Sequence, residues 1–209
     1  MTHNYEKNGQ SIYKESFSTI RAEAKLDRFS LEEEVVAVRM IHACGMVELA
    51  ESIFFKQNMA NLARKSLEAG APILCDTKMV SEGITRARLP KRNKIICTLN
   101  DPSVPDIAKQ IGNTRSAAAV ELWRNDIQGG VVAIGNAPTA LFHLLNLLEE
   151  GSIQHPVAII GCPVGFVGAR ESKEALFLKS NLPSLITKGR LGGSAITVAA
   201  INALASRTE

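Results

Sequence analysis

Apolar positions follow two rhythms along the chain, and the change from one to the other divides it. Over residues 11–24, SIYKESFSTIRAEA, Ile12, Phe17, Ile20 and Ala24 recur at steps of three to five, the spacing of one helix face and not the alternation of a strand. Ser30 to Glu33, SLEE, has the S-x-x-E form of a capping box. It predicts a second helix from Leu31 through VAVRMIHACGMVEL until Gly45. A third helix is predicted over about residues 58–68 and is stopped by the glycine and proline of EAGAP.

Beyond EAGAP the pattern becomes short β-branched or apolar runs separated by helical stretches: PILCD, KIICTLN, GVVAIGN, VAIIGCP and PSLITKG. Helical patterns fill the gaps, notably 137–150 and 194–205. Each run is nearly continuously apolar, as expected of strands buried on both faces by helices. The expectation is a single-domain, doubly wound α/β fold with a mainly parallel, five-stranded sheet. Residues 1–10 form a tail and 11–209 the domain, with no repeat, low-complexity tract or linker to mark a second.

In such a sheet ligands bind outside the carboxyl ends of the strands. The segments there are CDTKMVSEGITRAR, LNDPSVP, IGNAPTA, GCPVGFVGA and TKGRLGGS. The glycines of GNAPTA and GCPVGFVGA either present backbone N–H groups to an anion or simply make tight turns. Neither stretch has the spacing of a P-loop or of a dinucleotide fingerprint. TRARLPKRNK is a charge run that reads first as a solvated face. Arg86 and Arg115 differ from it in setting, because each follows a strand or opens a helix, where a guanidinium fork takes a carboxylate.

Composition narrows the chemistry. A net charge of +3 over 209 residues lacks the lopsided basic balance of nucleic-acid binders, while a local arginine cluster for a small anion is compatible with it. No apolar run approaches the roughly 20 residues that span a bilayer, and MTHNYEKNGQ has no signal-like apolar core, so a cytoplasmic, membrane-free protein is expected. Cys44, Cys75, Cys97 and Cys162 are widely spaced, which argues against a zinc site or redox pair and for reduced, buried packing residues. Of the histidines, His3 lies in the tail, His155 in a loop, and His143 in the apolar helix PTALFHLLNLL as a packed residue. His42 sits three residues after Arg39, so both lie near one helix face. By itself it is either a core histidine or a group able to give and take a proton near neutrality. Cys44 is two residues away and points elsewhere, which disfavours a Cys44–His42 pair.

SFSTIRAEA, VAVRMIHACGMVELAE, AGAPILCDTKMVSEGITRARLP, TRSAAAVELW, GGVVAIGNAPTALFHLL, PVGFVGARESKEAL and GRLGGSAITVAAINALA together resemble the precorrin-8X methylmutase family, isomerases of cobalamin biosynthesis, from about Tyr13 to Ala205. Cys162 before PVGF and Lys78 in DTKMV depart slightly from that pattern. The resemblance implies a flavodoxin-like subunit, a homodimer with active sites at the interface, and no cofactor or metal. It implies a methyl shift from C11 to C12 that converts precorrin-8X to hydrogenobyrinate, with His42 as proton donor and acceptor. Substrate contacts would fall on Ser16, Arg39, Thr85, Arg86, Arg115, Ser116 and Asn136. A cobalt-bearing substrate, a non-catalytic tetrapyrrole-binding module and a thiol hydrolase using Cys44 or Cys162 stand as the alternatives.

Overall fold

A computed structural model describes residues 2–179 and 181–207. The outer ends of the expected tail and domain, residue 1 and residues 208–209, lie outside them. Helix α1 spans Gly9–Glu23, two residues earlier than the sequence pattern suggested, because the Asn8 side chain accepts from the Gln10 and Ser11 N–H groups and caps it. Helix α2 spans Leu31–Cys44 with the capping box formed at both ends of the pair: Ser30 Oγ accepts from Glu33 N–H, and the Glu33 carboxylate accepts from Ser30 N–H. Gly45, at φ 68°, closes the helix with its N–H on Ile41 O.

The chain then builds β1 (Ile53–Lys56), α3 (Met59–Glu68), β2 (Ile73–Cys75), α4 (Lys78–Gly83), β3 (Ile95–Ile96), α5 (Val104–Ile111), α6 (Arg115–Glu121), β4 (Val131–Ile134), α7 (Pro138–Glu149), β5 (Ala158–Gly161), α8 (Ala169–Leu178), β6 (Ser184–Thr187) and α9 (Ser194–Ala205). The sheet order is β1-β6-β5-β4-β2-β3. All neighbours are parallel except β1, which runs antiparallel to β6 with Ile53 opposite Thr187. All five expected strands are present, and β1 adds a sixth at the edge. Its IFFK run is buried only at Ile53, so, like the half-buried edge strand β3, it lacks the two-faced burial of the four central strands.

Side-chain alternation explains why four of those five read as nearly continuous apolar runs. Ile73 and Cys75, Val131 and Ala133, Ala158 and Ile160, and Leu185 face one core with α2, α3 and α9. Leu74, Val132 and Ile134, Ile159, and Ile186 face the other, with Trp123, α7 and α8. Without its antiparallel edge the sheet has the 2-1-3-4-5 order of flavodoxin-like folds, whose switch point lies between β2 and β4. Helix α9 is apolar nearly all round because it is buried between the sheet and α2. The first core therefore places α2, and with it Arg39 and His42, directly over α9.

Candidate active site

At the switch point, where such folds usually take a ligand, the backbone N–H groups of the turn after β4 are engaged by the chain itself. Asp76, buried just beyond β2, accepts the backbone N–H groups of Gly135 at 3.1 Å and of Asn136 and Ala137 at 2.8 Å each. Burial pushes its carboxyl above the usual range, and the three N–H groups only partly offset this. The N–H groups of GNAP are thus committed to an internal carboxylate, and their glycine makes a tight turn. Gly135 also lies so close to α9 that a Cβ there would stand 2.9 Å from Ser194 Cα.

The open space lies instead around the last turn of α2. His42, half-buried, lines two cavities. The first, about 450 Å³, runs along α1 and is bordered by Glu15, Ser16, Thr19, Glu23 and Gly45. The second, about 380 Å³, lies between α2, α4 and the start of α9, with Tyr13, Arg39, Met79, Gly83, Ser194 and Val198 among its walls. Its depth depends on Gly83, since a Cβ there would come within 2.8 Å of Val198. The imidazole packs against two rings of α1, with centroids 5.4 Å from Tyr13 and 5.0 Å from Phe17. The Arg39 guanidinium stands 5.4 Å from the same Phe17 ring.

The structure brings Ser16, Arg39 and His42 together at these cavities. Thr85 lies beside the second, its N–H donating to Asn202 Oδ1 at 2.9 Å, and Asn202 is one of that cavity's walls. Arg86 follows on an exposed single turn. Arg115, Ser116 and Asn136 line neither cavity. They share the carboxyl end of the sheet: Arg115 donates to Leu99 O at 3.2 Å, and a 2.8 Å hydrogen bond between the Thr114 and Thr139 hydroxyls joins the starts of α6 and α7. Through Gly135 and Ser194 this second group adjoins the His42 cavity.

Other expectations fare differently. His143 is structural, its Nε2 2.7 Å from Glu121 Oε1. Arg88, read as part of a charge run, is half-buried and donates to Asn202 O and Ser206 O at the end of α9. Cys75 and Cys162 are buried, but Cys44 and Cys97 are only half-buried. Burial pushes the Cys162 thiol up to about 11 and the Cys75 thiol higher than its ordinary value, so neither is a thiolate at neutral pH. Cys44 Sγ donates to Ile41 O at 3.4 Å. Among the described residues no cluster of three or more His, Cys, Asp or Glu could hold a metal ion, and no helix is long and apolar enough to cross a membrane. Tyr13, Met79, Ser194 and Val198 are cavity walls that the sequence did not single out. Met79 and Ser194 lie within the strand-end segments CDTKMVSEGITRAR and TKGRLGGS, and Tyr13 stands four residues before Phe17 on α1.

Residues 11–207 match the family model described as precorrin-8X methylmutase. The chain belongs to the precorrin-8X methylmutase family. It is 57% identical over 204 residues, 97% of each chain, to a protein of a Sinorhizobium species named precorrin-8X methylmutase. It is 37% identical to a Methanocaldococcus jannaschii protein named cobalt-precorrin-8 methylmutase, over 95% of this chain and 93% of that one. The solved precorrin-8X methylmutase of Thermus thermophilus superposes with a TM-score of 0.85 at 36% identity, covering 94% of this chain and 95% of that one. The family membership spans both clusters of candidate residues, from Ser16 on α1 to Asn136 beyond β4.

Proposed function

We propose that this chain is an isomerase of cobalamin biosynthesis that moves a methyl group from C11 to C12 of precorrin-8X, giving hydrogenobyrinate. The observation that carries this reading is the position of His42 at the junction of two open cavities, one helical turn from Arg39, in a chain that matches the family over nearly its whole length. The metal-free substrate is favoured by the higher identity to the relative named for it, 57% against 37% for the relative named for the cobalt form.

A methyl shift around a conjugated ring needs the reactive tautomer and no external nucleophile. In this reading His42 supplies a proton to the macrocycle and takes one back, general acid–base help typically worth about 10² to 10⁴ in rate. The apolar walls at Met79, Gly83 and Val198 receive the flat ring. Arg39, Arg86 and Arg115, with Ser16, Thr85, Ser116 and Asn136, hold its carboxylate arms, converting binding energy into orientation of the ring against His42. Because Arg115 and Asn136 line a separate stretch of the sheet end, the substrate bridges both groups. A homodimer with active sites at the interface fits the exposed apolar side chains beside the cavity, Met79 at 72% and Tyr13 at 49%. The setting is cytoplasmic.

The test is turnover of precorrin-8X and of its cobalt counterpart by wild type and by His42→Ala. The proposal expects faster turnover of the metal-free substrate and a loss of at least about 100-fold in the variant. Wild-type rates in His42→Ala would remove the proton-transfer role. No turnover of either substrate by wild type would leave a tetrapyrrole-binding module. Sedimentation at working concentration tests the dimer.

A further inference from the structure

Catalytic histidines are usually held in one tautomer and one orientation by a hydrogen bond from the second ring nitrogen to a carboxylate or carbonyl. His42 is held otherwise. Among the described residues no side chain or backbone group hydrogen-bonds its ring nitrogens. What touches the imidazole is a pair of aromatic rings from α1: Tyr13, tilted by 40° at 5.4 Å, and Phe17, edge-on at 61° and 5.0 Å. Both separations fall in the range where ring pairs attract beyond simple burial.

The sequence on α1 serves this contact more than it serves the core. Only Phe17 and Ile20 of its fifteen residues are buried. Ile12, which the apolar spacing would place inside, is 44% exposed and borders the first cavity. Tyr13 and Phe17 are four apart, so they stack on one face of α1 and meet α2 where its last turn carries His42. Phe17 also underlies the Arg39 guanidinium, so a single ring spaces the proton-transfer group and the arginine one turn before it.

We propose that Tyr13 and Phe17 are positioning residues for His42, orienting its imidazole by ring packing and leaving both ring nitrogens to exchange protons with the substrate. This rests on the reading of His42 as the proton donor and acceptor. A histidine with neither nitrogen engaged by the protein adopts either tautomer at no cost in broken hydrogen bonds. That suits a rearrangement in which the group that gives a proton must also recover one. Ring packing restricts the plane of the imidazole while leaving both ring nitrogens without a protein hydrogen bond among the described residues.

The experiment compares His42→Ala, Phe17→Leu, Tyr13→Leu and Tyr13→Phe on precorrin-8X, with kcat and KM determined separately. The His42 Cε1–H proton resonance of each ring variant is compared with wild type. The expected result is a kcat at least about 2- to 12-fold lower in each leucine variant, from loss of the ring pair with His42. KM moves less than kcat, and the His42 resonance shifts as the ring current is lost. Tyr13→Phe keeps the ring and recovers most of what Tyr13→Leu loses. Tyr13 is half-exposed, so Tyr13→Leu carries the test if Phe17→Leu does not fold. Wild-type kcat in both leucine variants, with His42→Ala inactive, overturns the positioning role and leaves the reading of His42 intact. Wild-type turnover by His42→Ala overturns that reading instead.

Discussion

The carboxylate of Asp76 and the backbone N–H of Asn136 meet at 2.8 Å across the gap between β2 and β4. The neighbouring N–H groups of Gly135 and Ala137 join the same carboxylate, so one buried side chain satisfies a whole strand-to-helix turn. Asp76→Ala leaves these donors without a partner in a buried setting. The expected loss is about 3 kcal/mol or more of unfolding free energy, since each orphaned group costs about 1–3 kcal/mol. Asp76→Asn retains one acceptor oxygen and should lose less. Urea unfolding of the three proteins measures the order, and equal stability of Asp76→Ala and wild type would contradict it.

How much of this was legible from sequence follows from the range of each interaction. The four central strands stood out because they are buried on both faces and mostly apolar, with Ser184 and Thr187 at the ends of β6, while β3 was legible from its KIIC run although it is only half-buried at the edge. The IFFK strand did not stand out, because an antiparallel edge is half-covered. The capping box at Ser30 and the stop at Gly45 were readable because a helix end is specified within about four residues. Asp76 could not be assigned to GNAP, since the two lie 59 to 61 residues apart and only the parallel pairing of β2 with β4 brings them together. In the same way Tyr13 and Phe17 could be placed on one face of α1, but that this face meets His42 depends on how α1 packs on α2. For the site residues, the arginine and histidine pattern on α2 was visible, while the walls supplied by α4 and α9 were set by tertiary packing.

Neither Cys44 nor Cys162 has a chemical role in the proposed reaction. Cys162 is buried against β6 with its thiol pushed up to about 11, and Cys44 is engaged with Ile41 O. The double variant Cys44→Ala, Cys162→Ala is expected to turn over precorrin-8X at the wild-type rate, with a cost of about 1–2 kcal/mol in stability from the cavity at Cys162. Loss of turnover in a folded double variant would revive the thiol reading.

Gly192 has no acceptable substitute. Its φ is 149°, and a Cβ would stand 2.2 Å from Cys162 O and 2.9 Å from Pro163 O. Both atoms are backbone, so neither can swing aside. Gly192→Ala must displace the turn that leads into Ser194, a wall of the His42 cavity. The expected cost is about 3 kcal/mol or more in unfolding free energy, from clash and strain together. A variant with wild-type stability would show that the turn yields more readily than this geometry allows.

Lys173 gives a prediction with a definite pH sign. Its side chain is fully buried on α8, and Nζ donates to Leu191 O at 2.5 Å, the carbonyl that also accepts from the Thr187 hydroxyl at 2.8 Å. Burial pulls its pKa down from 10.5 to about 8, with Cys162 acting weakly in the opposite direction. Below pH 8 the lysine is protonated in both folded and unfolded chains, and the native state bears the full cost of a desolvated ammonium. Between about 8 and 10.5 the unfolded chain binds the proton and the folded chain releases it, so this group's contribution to stability rises with pH. Lys173→Met removes the titration. The stability of wild type relative to Lys173→Met should therefore increase from pH 7 to pH 10, whichever protein is the more stable at pH 7. Urea unfolding of both at the two pH values measures the difference, and a gap that stays constant or narrows would show that the ammonium is not desolvated in the native fold.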